Sequence, residues 1–390
     1  MSATERSNDT DVAEGKITEA ALDHMRAWLN KPRPMPHWNS QVSKDTIWHF
    51  ALGVGDDNPL WWDEAYAKAS PHGGITAPPP YLYSHANGPR LKPELSGGPT
   101  EFFLPGTLGL WAGEKWKWHR PVRPGETITA SLALVEATVQ EDGRFGGRSV
   151  TQIERMQFAT DQGEIVAEVW HNLKRYERGQ ARSNNAYLDR ELANYSSADR
   201  ERFEHHYRNE AERLRRGAEP RFIEDTNVAD QIGPMLKGPL TVNNMIGFML
   251  GWGSGLNATN RMLFSQLAIH PAGRLVNPES GVVDNIESPH WDRALARMSG
   301  LPDGYDFGCQ RFSWFAHFMT DWIGDHGELT DLDFKMLKPN IINDITWLTG
   351  EVTAVDPASA IVTVKITATN QLDQVTAVGT AVARLPRKSG

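Results

Sequence analysis

The sequence predicts an α+β chain built as two similar halves, each a helical segment followed by an antiparallel sheet. Three observations carry this. From Thr100 to Tyr176 and again from Leu329 to Leu385, β-branched and alternating runs are separated by Gly- and Pro-containing turns. Before each strand region lies an apolar helical stretch, Val42 to Leu52 and Thr241 to Gly253. Two segments of the first half also have echoes in the second. RPVRPGETITASLALVEA (120–137) matches KPNIINDITWLTGEVTAV (338–355), and NPLWWDEAYA (58–67) matches SPHWDRALA (288–296).

The elements follow in order. Residues 1–17 are polar and acidic, resemble no targeting peptide and are expected to be disordered. Leu22, Met25, Trp28 and Leu29 recur at helical spacing, and KPRPMP ends that helix. The first half spans 18–176. Pro78, Pro79 and Pro80 bar a helix through themselves, and a long central helix is expected to start at Tyr81 to Ser84. Strands are expected at Glu114–His119, Thr127–Val139, Ser149–Thr160 and Ile165–Leu173. Residues 177–232 are charge-dense, and Ser196 to Arg216 reads as an exposed linker helix with Ser196 and Asp199 as a capping pair. The second half, 233–390, repeats helix, motif, helix and strands, with an insertion at 254–281 that has no counterpart in the first.

Composition bounds the function. The chain has 390 residues, 39% hydrophobic, with 14 Trp, enough for a large core. The net charge of −9 and the lack of a dense Lys/Arg run give no support for a nucleic-acid partner. The single Cys309 excludes an intramolecular disulfide and fits a reducing cytoplasm. No apolar run reaches the ~20 residues of a membrane span. No His/Cys/Asp cluster shows metal-ligand spacing, and no phosphate-cradling glycine motif is present, so no metal and no cofactor are expected.

The segment from Gly55 to Pro79 orders Gly-Asp, Asn58-Pro59-Leu60, Asp63 and Ala77-Pro78-Pro79. It resembles the substrate loop of MaoC-like dehydratases, the (R)-specific enoyl-CoA hydratase family. The resemblance implies a double hot dog, in which each half is an antiparallel sheet wrapped on a long central helix. It also implies an acyl-CoA substrate, reversible hydration of a 2-enoyl-CoA, and a homodimer or homo-oligomer of double hot dogs. Such a hydration needs a base to activate water at C3, a proton for C2, and donors for the enolate oxygen.

The family's catalytic His falls at Trp61, so the first half is expected to hold substrate through Asp56, Asn58, Trp61 and Trp62. The second half supplies His290 at that position and, by resemblance, Gly308 as the backbone oxyanion donor. The family's Asp stands five positions before its His, where this chain has Asn285. Asp284, with one extra loop residue, is the expected acid partner, and Glu287 the alternative. Arg311 is one of several cations near this motif that could meet the CoA phosphates. Asp63 and Asp292 read as helix caps. His72 and His317 read as packing residues, and Asp321 with His326 as a helix end. Two other outcomes stay open: a catalytically degenerate acyl-CoA-binding subunit, and a hot-dog thioesterase.

Overall fold

The computed structural model describes residues 15–89, 104, 106–142, 147–177, 187–269 and 271–388. The expected disordered start therefore lies mostly outside the described residues. Ile17 is buried with Leu22 and Met25 of the first helix, α1 (Glu19–Arg26).

Alternating apolar residues build ten strands into one sheet. Its first-half strands are β1 (Arg33–Met35), β2 (Leu108–Trp118), β3 (Ile128–Gln140), β4 (Ser149–Thr160) and β5 (Ile165–Tyr176). The second half adds β6 (Gln231–Lys237), β9 (Glu328–Met336), β10 (Thr346–Asp356), β11 (Ile361–Thr369) and β12 (Val375–Arg384). The order is β1-β3-β4-β5-β2-β9-β12-β11-β10-β6, so each half is a contiguous block. The blocks meet at one antiparallel seam, where Gly113 to Lys117 of β2 pair with Lys335 to Asp331 of β9. A separate two-stranded ribbon, β7 (Leu275–Val276) with β8 (Val283–Asp284), lies in the insertion.

Short helices α2 (Lys44–Val54) and α3 (Glu64–Ala69) precede the first sheet. Helix α4 (Ser197–Leu214) crosses between the halves, and α5 (Val242–Trp252) and α6 (Asn260–Ile269) open the second. There α7 (Arg293–Met298) leads into the central helix α8 (Gly308–Ile323). Every residue of α8 from Cys309 to Ile323 is buried. Phe312 stacks on Trp116 of the first half at 5.6 Å, and Phe315 meets Phe334 edge-on at 4.8 Å. Each such buried aromatic contributes on the order of 1.5–3 kcal/mol.

The helices α2 and α5 are the matched pair foreseen from the repeat. Both carry the same reciprocal cap, Ser43 with Thr46 and Thr241 with Asn244. They pack backbone to backbone: a Cβ on Gly53 would stand 2.6 Å from the Gly247 carbonyl, and one on Gly251 would stand 2.3 Å from that of His49.

Two elements differ from expectation. In the first half, Pro79–His85 is a 3-10 turn, and residues 90–103, where a long helix was expected to continue, lie outside the described residues. The three prolines remove the N–H groups an α-helix needs, while the first turn of a 3-10 helix tolerates them. The helix α4 is capped by Ser196 and Asp199 as expected, but it is docked on the second half as well as charged. Phe203 packs with Leu236 and Ile345, and Glu210 accepts a 2.8 Å bond from the Leu236 amide on the outer edge of β6. An edge strand leaves amides unpaired, and here a carboxylate fills one of them.

Candidate functional site

The second-half loop is built by local chemistry. Ser288-Pro289-His290 forms a 3-10 turn with Pro in its first turn, and Asp292 then caps α7 by accepting from the Leu295 amide at 3.0 Å. The first-half loop is built the same way. Pro59-Leu60-Trp61 forms the turn, and Asp63 caps α3 by accepting from the Ala65 and Tyr66 amides. His290 and Trp61 thus hold corresponding places.

The same comparison aligns the residues that precede the two turns. Asp56 Oδ1 accepts from the Asn58 amide at 3.1 Å, and Asn285 Oδ1 accepts from the Glu287 amide at 2.7 Å. These are equivalent turns, so Asn285 stands where the first half has Asp56. The structure gives no extra-residue register to Asp284. That residue sits in β8, paired with Leu275, and its carboxylate accepts from the Asn285 amide at 2.8 Å. Glu287 lies in the same loop, with its backbone carbonyl accepting from the His290 amide. Its charge helps push up the Tyr305 hydroxyl and the Cys309 thiol, behind burial in both cases and, at Cys309, behind the Glu114 carboxylate as well.

His290 is half-buried at the start of the central helix. Its ring stacks on Phe307, the residue before Gly308, with centroids 4.0 Å apart, and lies 4.2 Å from the Tyr305 ring. Its Nδ1 lies 2.8 Å from the Tyr305 carbonyl, to which it donates. That bond fixes the tautomer and turns Nε2 into the acceptor. Burial pushes the His290 pKa down to about 4, with backbone bonds to Tyr305 and Asp306 opposing it. The imidazole is therefore neutral at pH 7, a base with its lone pair on Nε2. No side chain caps the first turn of α8, and the free amides of a helix start favour developing negative charge. Gly308 is fixed there by packing, because a Cβ would fall 2.0 Å from the Trp111 indole.

The other expected contacts fall elsewhere. Arg311 is fully buried on α8; it bonds Asp306 at 2.7 and 2.5 Å and the carbonyls of Lys338 and Thr376. It clamps the helix start to the turn before β10 and is out of reach of a phosphate. Trp61 is buried in the core, whereas Trp62 is half exposed against Trp48 at 5.6 Å. Asn58 is buried and spends its Oδ1 on the Leu60 amide.

Asp56 is brought to a group that the sequence did not suggest as a site. His317 and Asp321 stand one turn apart on α8, and the His317 Nε2 lies 3.3 Å from Asp321 Oδ2 and 3.5 Å from Asp56 Oδ1. Lys237 of β6 meets His317 Nδ1 at 2.7 Å, and burial pushes its ammonium pKa down. Arg215 bonds Asp321 at 3.1 Å and also pairs with Asp57. Asp321 is held below the usual carboxylate range; burial opposes the shift, and His317 and Arg215 outweigh it. The signal was the i,i+4 spacing of His317 and Asp321, which puts both on one helix face. Its third member, Asp56, comes from the other half, and sequence spacing does not show that.

Comparison with known proteins matches the geometry. Residues 33–169 match the family described as the FAS1-like, dehydratase domain region. A UPF0336 protein of Parafrankia sp. is 31% identical over 132 residues, 33% of this chain and 79% of that protein. The 3-oxo-4,17-pregnadiene-20-carboxyl-CoA hydratase alpha subunit of Mycobacterium tuberculosis is 31% identical over 124 residues, 30% of this chain and 39% of that protein. A solved MaoC-like dehydratase superposes with a TM-score of 0.64 at 17% identity, covering 93% of this chain and all of that one. Fold and loops together define a double hot-dog protein of the dehydratase type. The chain belongs to the MaoC-like, FAS1-dehydratase-like hot-dog family.

Proposed function

We propose that the protein hydrates a 2-enoyl-CoA reversibly to a 3-hydroxyacyl-CoA, with His290 as the general base. The observation that carries this is the state of His290: neutral, with Nδ1 held on the Tyr305 carbonyl, and stacked on the residue that opens the central helix. Nε2 takes a proton from water as the oxygen adds to C3. The enolate oxygen is held by the amide at Gly308, and the proton passes to C2. Asp284 and Glu287 are the two carboxylates of this loop that could serve as the acid partner; Asp284 accepts from the Asn285 amide, and the charge of Glu287 is felt at Tyr305 and Cys309. A relative named as a carboxyl-CoA hydratase subunit supports a CoA thioester as substrate.

One observation favours a second function. Asn285 holds the place of the family's acid, and Asn cannot act as a base. That fits an acyl-CoA-binding chain that assists a partner subunit. A panel of 2-enoyl-CoA thioesters, followed by loss of absorbance at the conjugated thioester band, separates the two. Turnover abolished by His290→Ala and strongly lowered by Glu287→Gln supports the hydratase. Tight acyl-CoA binding with no turnover across the panel supports the second. Release of free CoA from a saturated acyl-CoA would show a thioesterase.

A further inference from the structure

Glu114 of β2 and His171 of β5 are register partners across the antiparallel pair and take no part in the steps assigned to His290. The carboxylate is buried and anchored: Trp116 Nε1 donates to it at 2.6 Å, and the Tyr83 hydroxyl donates as well. His171 Nδ1 lies 2.5 Å from Glu114 Oε1. The Trp111 indole N–H stands 2.7 Å from that same Nδ1 and 3.2 Å from that same oxygen. A carboxylate only accepts, so a contact this short puts a proton on Nδ1 and leaves Nε2 as the atom that gains or loses one. The His171 side chain is 16% exposed, and its Nε2 has no hydrogen-bond partner among the described residues. An imidazole oriented by a carboxylate, with its far nitrogen open, is equipped for proton transfer. It lies in the half whose loop carries Trp61 in place of His.

Two imidazoles therefore approach the start of α8, one from each half. His290 stacks on Phe307, and His171 lies 5.7 Å from the Trp111 indole that covers Gly308. Glu114 bears on the same turn: behind burial, it is the larger of the two charges that raise the Cys309 thiol. Building on the hydratase function proposed above, we infer that His171, oriented by Glu114, is the second proton-transfer residue of the reaction and gives the proton to C2. Hydration needs such a group, and Asn285 stands where the family's acid would be. One proton shared by the two rings balances the step. His290 Nε2 takes a proton from water as the oxygen bonds to C3, and the C2=C3 pair moves onto the thioester as an enolate. The enolate collapses as His171 Nε2–H passes its proton to C2. The proton left on His290 returns to His171 through solvent, and dehydration runs the same steps in reverse. The surroundings set where the shared proton rests. A charged ring meets a carboxylate at His171, whereas His290 lies between the Tyr305 and Phe307 rings with a backbone carbonyl on Nδ1.

The test measures kcat and KM of the full chain on the most active 2-enoyl-CoA of the panel. His171→Asn keeps an amide N–H beside Glu114 and removes Nε2, so the buried carboxylate stays partnered. This variant is expected to lower kcat by about 100-fold or more, the range of a general acid, and to leave KM nearly unchanged. His171→Ala empties the place of the ring. Its turnover is expected to return with added imidazole and not with pyrazole, a ring of the same size and far weaker basicity. A structural role for His171 would not give that difference. A kcat near the wild-type value in His171→Asn overturns the assignment of His171, as does a loss confined to KM. An Ala variant that imidazole fails to restore overturns it too, and decides the matter if the Asn variant does not fold. A wild-type chain silent across the whole panel overturns the hydratase function and this role with it. Turnover lost in His290→Ala but kept in His171→Asn overturns the role of His171 alone.

Discussion

His290 and Arg311 lie on either side of Gly308 and take opposite roles. The imidazole keeps one nitrogen unprotonated beside the helix start, while the guanidinium is saturated. Arg311 reaches Asp306 through two bonds and two carbonyls beyond it, and Asp306 also receives bonds from Asn340. Removing one partner of a buried ion pair leaves an uncompensated charge, at a cost of about 3–5 kcal/mol. Asp306→Asn is therefore expected to lower the denaturant midpoint by a corresponding amount without changing the slope. A loss below about 1 kcal/mol would show that the clamp does not hold the helix start. His85 gives a second residue-scale prediction. It is buried with neither ring nitrogen in a well-formed hydrogen bond, and burial pushes its pKa down to about 4. The unfolded chain therefore binds the extra proton first, near pH 6.5. Stability is present above that pH and falls as the pH drops from about 6.5 to about 4, by up to about 3 kcal/mol for this residue. His290 adds a drop of the same sign. His85→Leu should flatten the pH dependence of unfolding between pH 4 and 6.5, and an unchanged slope would contradict the assignment.

At the scale of elements, the start of the central helix is set by contact across the halves. Trp111 lies on Gly308, and its Nε1 donates to Glu114 at 3.2 Å. Glu114 is a buried carboxylate that also receives Trp116 Nε1 at 2.6 Å, His171 Nδ1 at 2.5 Å and the Tyr83 hydroxyl. Four donors keep that charge in place, and with it the indole that covers the helix start. Gly308→Ala forces the indole or the helix to move, and is expected to destabilise by about 1–3 kcal/mol as overpacking does. Pairing it with Trp111→Leu should recover part of that loss; no recovery would mean the strain lies in the backbone. Element type was legible where apolar period was long, as in β3, β4, β10, β11 and α5. The docking of α4 was not, because its contacts come from Phe203, Tyr207 and Glu210 scattered among surface charges. The 3-10 turn at Pro79–His85 was hidden for a different reason. Proline excludes an α-helix but does not say what replaces it.

For the whole molecule, the two halves share one sheet, and the buried helix α8 of the second half packs against residues of both. Trp61 and Asn285 each remove one member of the family's Asp–His pair, from different halves. The surviving Asp56 points at the central helix, and the surviving His290 sits at that helix's start. The repeat made the place of His290 opposite Trp61 legible in the sequence, since the echo of NPLWWD and SPHWD is local. The sequence also put Asn285 at the place of the family's acid, five residues before His290; the turn bonds of Asn285 and Asp56 agree with that alignment, and Asp284 lies one residue outside it, in β8. The Asp56–His317–Asp321 group was illegible, because Asp56 stands more than 250 residues before the other two and meets them only when the halves close. No helix among the described residues is long and apolar enough to cross a membrane.

The most direct test of the central claim is the pH profile of enoyl-CoA hydration by the wild-type chain beside His290→Ala. The account predicts turnover in the wild type, constant from neutral pH down to an acid limb at about pH 4, where Nε2 takes its proton, and none in the variant while its fold persists. Undiminished turnover in His290→Ala would contradict it.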